Sequence, residues 1–299
     1  MLSGYLITTL LCEEKESTGI INLRRFYFRR VLRLAPALLM FLGAIAVMSV
    51  SGNIEHVRLY EFLACIFYLR NIIGRNEAVA HLWSLSLEEQ FYMLWPPIMK
   101  FVKSARLLRV SLFFVAAICL WRGLAMQFHL FDYNMGIYYM RPWFRMDSIL
   151  IGCCLGLILK EARRMPELIS AVPIVVIWLS LMAWTLIAPV MFPWLCITGQ
   201  MVGCLWVLYR AIHGSKFPIL ASQPFCFLGK ISYSLYLWQQ IFLEVRSPSW
   251  GALHSFPLNL LASVVLAIAS HYLIEKPFLR LKDKRGIREQ PGSAELLTT

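Results

Sequence analysis

Charge is scarce in this sequence. Asp, Glu, Lys and Arg make up 15% of its 299 residues, whereas a soluble domain holds about 25%. With 59% hydrophobic residues and a mean hydropathy of +0.63, that deficit excludes an ordinary soluble enzyme and leaves an integral membrane protein. Acidic residues are the scarcest class: 17 Asp and Glu stand against 29 Lys and Arg, for a net charge of +12. A basic excess of this size also suits nucleic acid, but no recognition motif accompanies it. The basic residues lie between apolar runs, where orientation in a bilayer accounts for them, so no nucleic-acid partner is read. CxxC pairs and Cys/His ligand spacings are missing too. The eight cysteines (Cys12, Cys65, Cys119, Cys153, Cys154, Cys196, Cys204 and Cys226) mostly sit inside apolar stretches as small packing residues. Neither a disulfide framework nor a metal site is indicated. No internal repeat is visible, so an inverted-repeat transporter has no direct support. A signal peptide is also lacking: MLSGYLITTLLC is too short to span, has no basic flank before it and has no cleavage site. It reads as the second half of a helix.

What is present is a succession of apolar runs, at about 33–50, 57–73, 82–102, 110–127, 146–160, 169–190, 194–212, 231–246 and 257–275, most of them near the roughly 20 residues a span requires. Counting Lys and Arg decides the doubtful run, VRLYEFLACIFYLRNII at 57–73. If it lies on the outer surface as an amphipathic helix, 22 Lys and Arg fall on one side and 6 on the other, with Arg122 inside a span. That asymmetry makes the crowded side cytoplasmic. The fold class is therefore all-α: a polytopic membrane helix bundle of about eight full spans plus an N-terminal half-span, in the cell's inner (plasma) membrane, with a cytoplasmic C-terminus. Residues 1–276 form the membrane domain, and 277–299 a basic then disordered cytoplasmic tail.

The richest stretch is HLWSLSLEEQFYMLWPP, residues 81–97. On a helix turning about 100° per residue, His81, Ser84, Leu85, Glu88 and Tyr92 fall on one face and Glu89 sits a quarter-turn away. A carboxylate at bilayer depth costs roughly 2.5–3.5 kcal/mol on insertion scales. Glu88 and Glu89 are thus either functional groups facing a polar interior or ion-pair anchors of neighbouring helices. With His81 near the outer end and the arginines cytoplasmic, the layout suits moving a group from a cytoplasmic donor to an external acceptor.

Three other motifs carry candidate chemistry. FYFRRVLRLAP places Arg29, Arg30 and Arg33 at the start of a span. Guanidinium forks match phosphate oxygens, so a nucleotide-phosphate donor such as coenzyme A fits, as does plain positive-inside anchoring. RPWFRMDSILIG offers Arg141, Arg145 and Asp147. The last two are too close in sequence to share a helical face, so each pairs elsewhere, Arg145 with Glu88 or Glu89 as one option. LGKISYSLYLWQQ brings Ser232, Tyr233, Ser234 and Tyr236 as hydroxyls that line a notch or bond helix to helix. HYLIEKPF sets His271 and Glu275 at i, i+4, a spacing that favours a local ion pair, because a third metal ligand is lacking.

Taken together, SGYLIT (3–8), FYFRRVLRLAP (26–36), HLWSLSLEEQFYMLWP (81–96), RPWFRMDSILIGCCLG (141–156), LGKISYSLYLWQ (228–239) and IEKPF (274–278) resemble, in order and wording, the acyltransferase type 3 family of integral-membrane O-acyltransferases. The resemblance covers nearly the whole chain. It implies a ten-helix bundle that takes an acyl group, usually acetyl from acetyl-CoA, at the cytoplasmic face. The group passes to a hydroxyl of a cell-surface or lipid-linked glycan. Arg30 and Arg33 match the family's donor-binding arginine motif, and His81, Glu88 and Glu89 its polar helix. Arg145, Trp83 and Tyr233 stand beside them as candidate substrate contacts. Acyl-CoA is a co-substrate; no bound cofactor is implied. Two departures stand out. The family's first helix carries an arginine or lysine, ten residues, then the histidine taken as catalytic, and the sequence as given starts after it. Gln239 also stands where many members have histidine.

The resulting expectation is an O-acyltransferase in which Arg30 and Arg33 hold the acetyl-CoA phosphates and Glu88 or Glu89 orients the reacting groups. As it stands, without the first helix, little or no activity is expected. The alternative is a non-catalytic relic or a glycan-lipid transporter.

Overall fold

The computed structural model describes residues 1–128, 130, 140–162, 193–213, 221–245 and 248–284. Its long elements are helices: α1 (Leu2–Thr18), α2 (Leu23–Val50), α3 (Leu59–Ile66), α4 (Leu82–Phe101), α5 (Ser104–Gln127), α6 (Pro142–Ala162), α7 (Pro193–His213), α8 (Gln223–Leu243), α9 (Leu258–Ser270) and α10 (Lys276–Lys284). A π-helical turn, His271–Glu275, joins the last two. No strand occurs among the described residues, and the chain is an all-α membrane helix bundle. Among the described residues four helical stretches are long and apolar enough to cross a bilayer: Leu23–Val50, Ser104–Gln127, Pro142–Lys160 and Leu258–Leu281. The predicted span at 169–190 lies outside the described residues, as do 285–299 of the predicted tail; 276–284 are helical.

Local signals explain where the helices stop. α1 does not end with its apolar stub. It runs on through Glu13, Glu14 and Glu16 until Gly19 takes a left-handed conformation at φ 77° and its N–H bonds the Lys15 carbonyl at 3.0 Å, a C-cap that suits glycine. The first twelve residues are therefore the apolar part of a 17-residue helix. Asn22 starts α2 by accepting the Arg25 N–H at 3.0 Å, an N-cap bond. The doubtful run at 57–73 holds only the eight-residue α3, about 12 Å long and too short to span.

The helices sort into two compact units, Met1–Ile21 with Leu87–Phe217, and Asn22–Ser86 with Pro218–Thr299. In the first, α6 packs against α1 and α5. The approach to α1 is backbone to backbone: a Cβ added at Gly4 would lie 2.1 Å from the Ile149 carbonyl oxygen, and one at Gly152 2.0 Å from that of Met1. Gly156 meets Thr8 in the same seam. Gly152 and Gly156 are four apart, the small-residue spacing that lets membrane helices close up. Beside them the Cys153 thiol donates to the Gly4 carbonyl at 3.4 Å. The lower part of α4 is tied to α1 by Trp95 Nε1 donating to Thr8 Oγ1 at 3.0 Å and by Lys15 Nζ donating to the Met99 carbonyl at 2.9 Å.

The second unit is centred on Phe41 and Ile45 of α2, both fully buried, with Leu38 and Leu42 beside them. Val79, Leu82 and Leu85 close one side of this core, and Leu237, Trp238 and Ile241 of α8 another. α8 also packs along α9.

The α1–α6 seam gives a direct test. Gly4→Ala is expected to lower stability by about 1–3 kcal/mol, the usual penalty of overpacking, seen as an earlier thermal unfolding midpoint in detergent. Gly43→Ala on α2, where an added Cβ has nothing within 4 Å, is expected to be neutral or to gain up to about 1 kcal/mol.

Candidate functional site

In the second unit the chain from α3 to α4 has no regular structure to satisfy its peptide groups, so side chains do it. Buried Glu61 accepts the N–H groups of Arg75 and Asn76 through Oε1, both at 2.9 Å. Buried Arg70 donates to the carbonyls of Gly74 at 2.6 Å and Asn76 at 2.9 Å. Asn76 caps the turn Glu77–Val79 by accepting the Ala78 N–H at 3.0 Å. Burial lowers the Arg70 guanidinium below its ordinary value, against the pull of Cys65 and Glu61. Burial likewise pushes the Cys65 thiol up to about 12, which leaves it an inert packing group.

The end of this segment is held by one face of α8. Tyr233, Tyr236 and Gln240 are spaced three and four apart, hence aligned. The Tyr233 hydroxyl donates to the Leu34 carbonyl of α2 at 2.9 Å, and Gln240 Nε2 donates to the Glu77 carbonyl at 2.8 Å. The Tyr236 hydroxyl donates to the His81 carbonyl and also meets Ser84 Oγ at 2.9 Å. With the phenol's one proton on the His81 carbonyl, Ser84 is the donor in the second contact, and its hydroxyl also lies within 3.4 Å of that same carbonyl.

His81 therefore has a fixed backbone at the threshold of α4. Its imidazole lies edge-on to Phe41, with centroids 5.4 Å apart, and tilted on Tyr236 at 5.1 Å. Both ring nitrogens are buried and have no hydrogen-bond partner among the described residues. The Leu237 backbone bears on the ring as a hydrogen-bond contact looser than the ordinary range. Trp238 Nε1, whose ring packs on Phe41 at 5.5 Å, is likewise buried and unpartnered. Buried polar atoms without partners are rare and call for an explanation. Trp83 is half-buried on the first turn of α4.

Arg29, Arg30 and Arg33 sit on the first turns of α2, the first two half-buried and Arg33 exposed. On its other side α8 sends fully buried Ser234 to donate to Glu275 Oε1, and Glu275 Oε2 meets His271 Nδ1 at 3.0 Å. The pair at i, i+4 forms as the spacing predicts.

The first unit holds the carboxylates. Glu88 is half-buried and accepts the Ser3 hydroxyl at 2.6 Å; Glu89 is buried. Arg145 is half-buried near the start of α6, and both it and Glu88 act electrostatically on the Met1 amine. Asp147 pairs with Arg122 of α5 at 2.9 Å, both fully buried. The Arg122 fork also donates to the Phe144 carbonyl at 2.7 Å. His81 thus falls in one unit and Glu88, Glu89 and Arg145 in the other.

A family model described as an acyltransferase domain matches residues 1–276. The chain belongs to that acyltransferase family. Among curated proteins it is similar to O-acetyltransferase OatA of Staphylococcus aureus (strain NCTC 8325 / PS 47), with 28% identity covering 93% of this chain and 51% of the relative. A putative O-acetyltransferase of Staphylococcus aureus (strain COL) is 27% identical, also over 93% of the chain and 51% of its own length. The chain spans about half the length of the curated relatives it matches. No solved structure matches it.

For a member of this acyltransferase family, several motif residues prove to be braces. Gly4 of SGYLIT and Gly152 of the α6 motif make a helix seam, and Tyr236 fastens His81. Ser3, Thr8, Glu61 and Arg70 were not singled out from the sequence, because their partners are main-chain groups or lie 80-odd residues away. Arg122 carried one signal, a lone arginine inside a span, which needs a buried partner.

Asp147→Ala or Arg122→Ala alone is expected to cost about 3–5 kcal/mol, because either leaves a buried charge uncompensated. The double change Arg122→Met with Asp147→Leu is expected to recover most of that loss. Folded yield and unfolding midpoint in detergent read both outcomes.

Proposed function

We propose that this protein is an inner-membrane O-acyltransferase. It takes an acetyl group from acetyl-CoA at the cytoplasmic face and passes it to a hydroxyl of a cell-surface or lipid-linked glycan. The family membership and the likeness to O-acetyltransferases support acetyl transfer to oxygen. The excess of Lys and Arg on one side supports a cytoplasmic arginine turn and C-terminus.

The observation that carries the mechanism is the second unit, in which one helix serves both the donor side and a buried imidazole. Arg29, Arg30 and Arg33 lie in the second and third turns of α2, and their guanidinium forks match phosphate oxygens. Eleven residues after Arg30, about 16 Å along the axis, Phe41 packs on His81. His81 offers ring nitrogens with no partner of ordinary hydrogen-bond geometry among the described residues, and imidazole is largely neutral near pH 7. In this reading the acceptor hydroxyl gives its proton to His81 as its oxygen attacks the thioester carbonyl. The new C–O bond forms, the C–S bond breaks, and the proton passes to the departing CoA thiolate. A proton acceptor of this kind contributes typically 10²–10⁴-fold.

The test is transfer of labelled acetyl from acetyl-CoA to glycan by membranes containing the protein: turnover above background overturns the expectation of little or no activity without the family's first-helix histidine and puts the proton acceptor within this chain. Arg30→Ala with Arg33→Ala is expected to raise KM for acetyl-CoA about tenfold or more, as loss of charge-assisted hydrogen bonds implies. His81→Ala is expected to lower kcat about 10²-fold or more. Unchanged kcat in His81→Ala, or glycan-lipid movement that persists without acyl-CoA, overturns the reading.

A further inference from the structure

We propose that Tyr236, assisted by Ser84, is the positioning residue for His81; the inference rests on His81 being the proton acceptor described above. Among the described residues no hydrogen bond of ordinary geometry fixes either imidazole nitrogen, and the Leu237 backbone contact is a loose one. Its direction is therefore set by two things: where its backbone is held and what its ring leans on. Tyr236 supplies both. Its hydroxyl takes the His81 carbonyl and its ring lies 5.1 Å from the imidazole. Ser84, one turn along α4, donates to the same phenol oxygen at 2.9 Å, which orients the phenol proton toward His81. Gln240 holds the Glu77 carbonyl from the same helical face, so the four residues before His81 are anchored at their other end as well. Such an arrangement leaves both ring nitrogens available to a ligand while denying the ring freedom to turn away. Misplacement of a reacting group by about 1 Å can cost 10²-fold in rate.

The predicted signature is on kcat and not on KM. Tyr236→Phe keeps the ring against His81 and removes only the hydroxyl. It is expected to lower kcat for acetyl transfer about tenfold, with KM for acetyl-CoA unchanged and the unfolding midpoint in detergent lowered modestly by the loss of one buried hydrogen bond. Ser84→Ala is expected to act in the same direction to a smaller extent. The deciding measurement is a double-mutant cycle: in a His81→Ala background, Tyr236→Phe is expected to lower kcat no further. If Tyr236→Phe lowers kcat equally in both backgrounds, shifts only the unfolding midpoint, or leaves kcat intact while His81→Ala abolishes it, the inference falls and the role of His81 stands. If His81→Ala itself retains full kcat, the proposed function fails first, and the two failures are told apart.

Discussion

A peptide carbonyl that leaves regular structure in low-dielectric surroundings must find a donor, and the second unit is built around that requirement. Between α3 and α4 the main chain turns repeatedly, and side chains satisfy the peptide groups that backbone bonds leave open: Glu61 and Asn76 accept N–H groups, and Arg70, Gln240 and Tyr236 donate to carbonyls. These partners come from α8, from the loop itself and from α3, so the segment is held from several directions at once. A loop fastened in this way is rigid enough to present one side chain with unoccupied polar atoms, and His81 is the side chain it presents.

The first unit solves a different problem. Helices in lipid gain little from hiding apolar groups, because the surroundings are equally apolar, so close packing and buried polar pairs hold them together. The glycines of α1 and α6 bring backbones into contact, and the Arg122–Asp147 pair fixes α5 to α6. Glu88 then takes its hydroxyl partner from Ser3, two residues beyond the N-terminal methionine. A charged group at depth is kept by satisfying it locally.

Much of this is legible in the residues alone, though unevenly. Helix class and family follow from apolar runs and from motifs such as HLWSLSLEEQFY, since burial in lipid leaves a composition that nothing else imitates. That 57–73 lies on the surface was read from the Lys and Arg asymmetry between the two sides; two charges within it, Glu61 and Arg70, serve as loop fasteners. The full extent of α1 was missed because its second half is polar; the stop signal was Gly19, which only a left-handed C-cap explains. The partners of Tyr236 and Gln240 were out of reach for a plainer reason. Main-chain carbonyls are the same at every position, so no side-chain pattern announces which one a phenol or an amide will choose. Placing His81 in a different unit from Glu88 was also hidden, because a helical wheel treats α4 as one body while its packing changes hands after Ser86.

The turn at His271–Glu275 carries one residue more than an ordinary helical turn, with the Lys276 N–H reaching five places back to His271. Rotational phase therefore slips by roughly 100° between the two sides of that insertion. A periodicity ruler laid unbroken from residue 258 to residue 284 assigns side chains to the wrong flank of the terminal helix. The lipid-facing stripe of α9 and the outward stripe of α10 are consequently separate surfaces, free to vary under separate demands although one continuous rod bears them both.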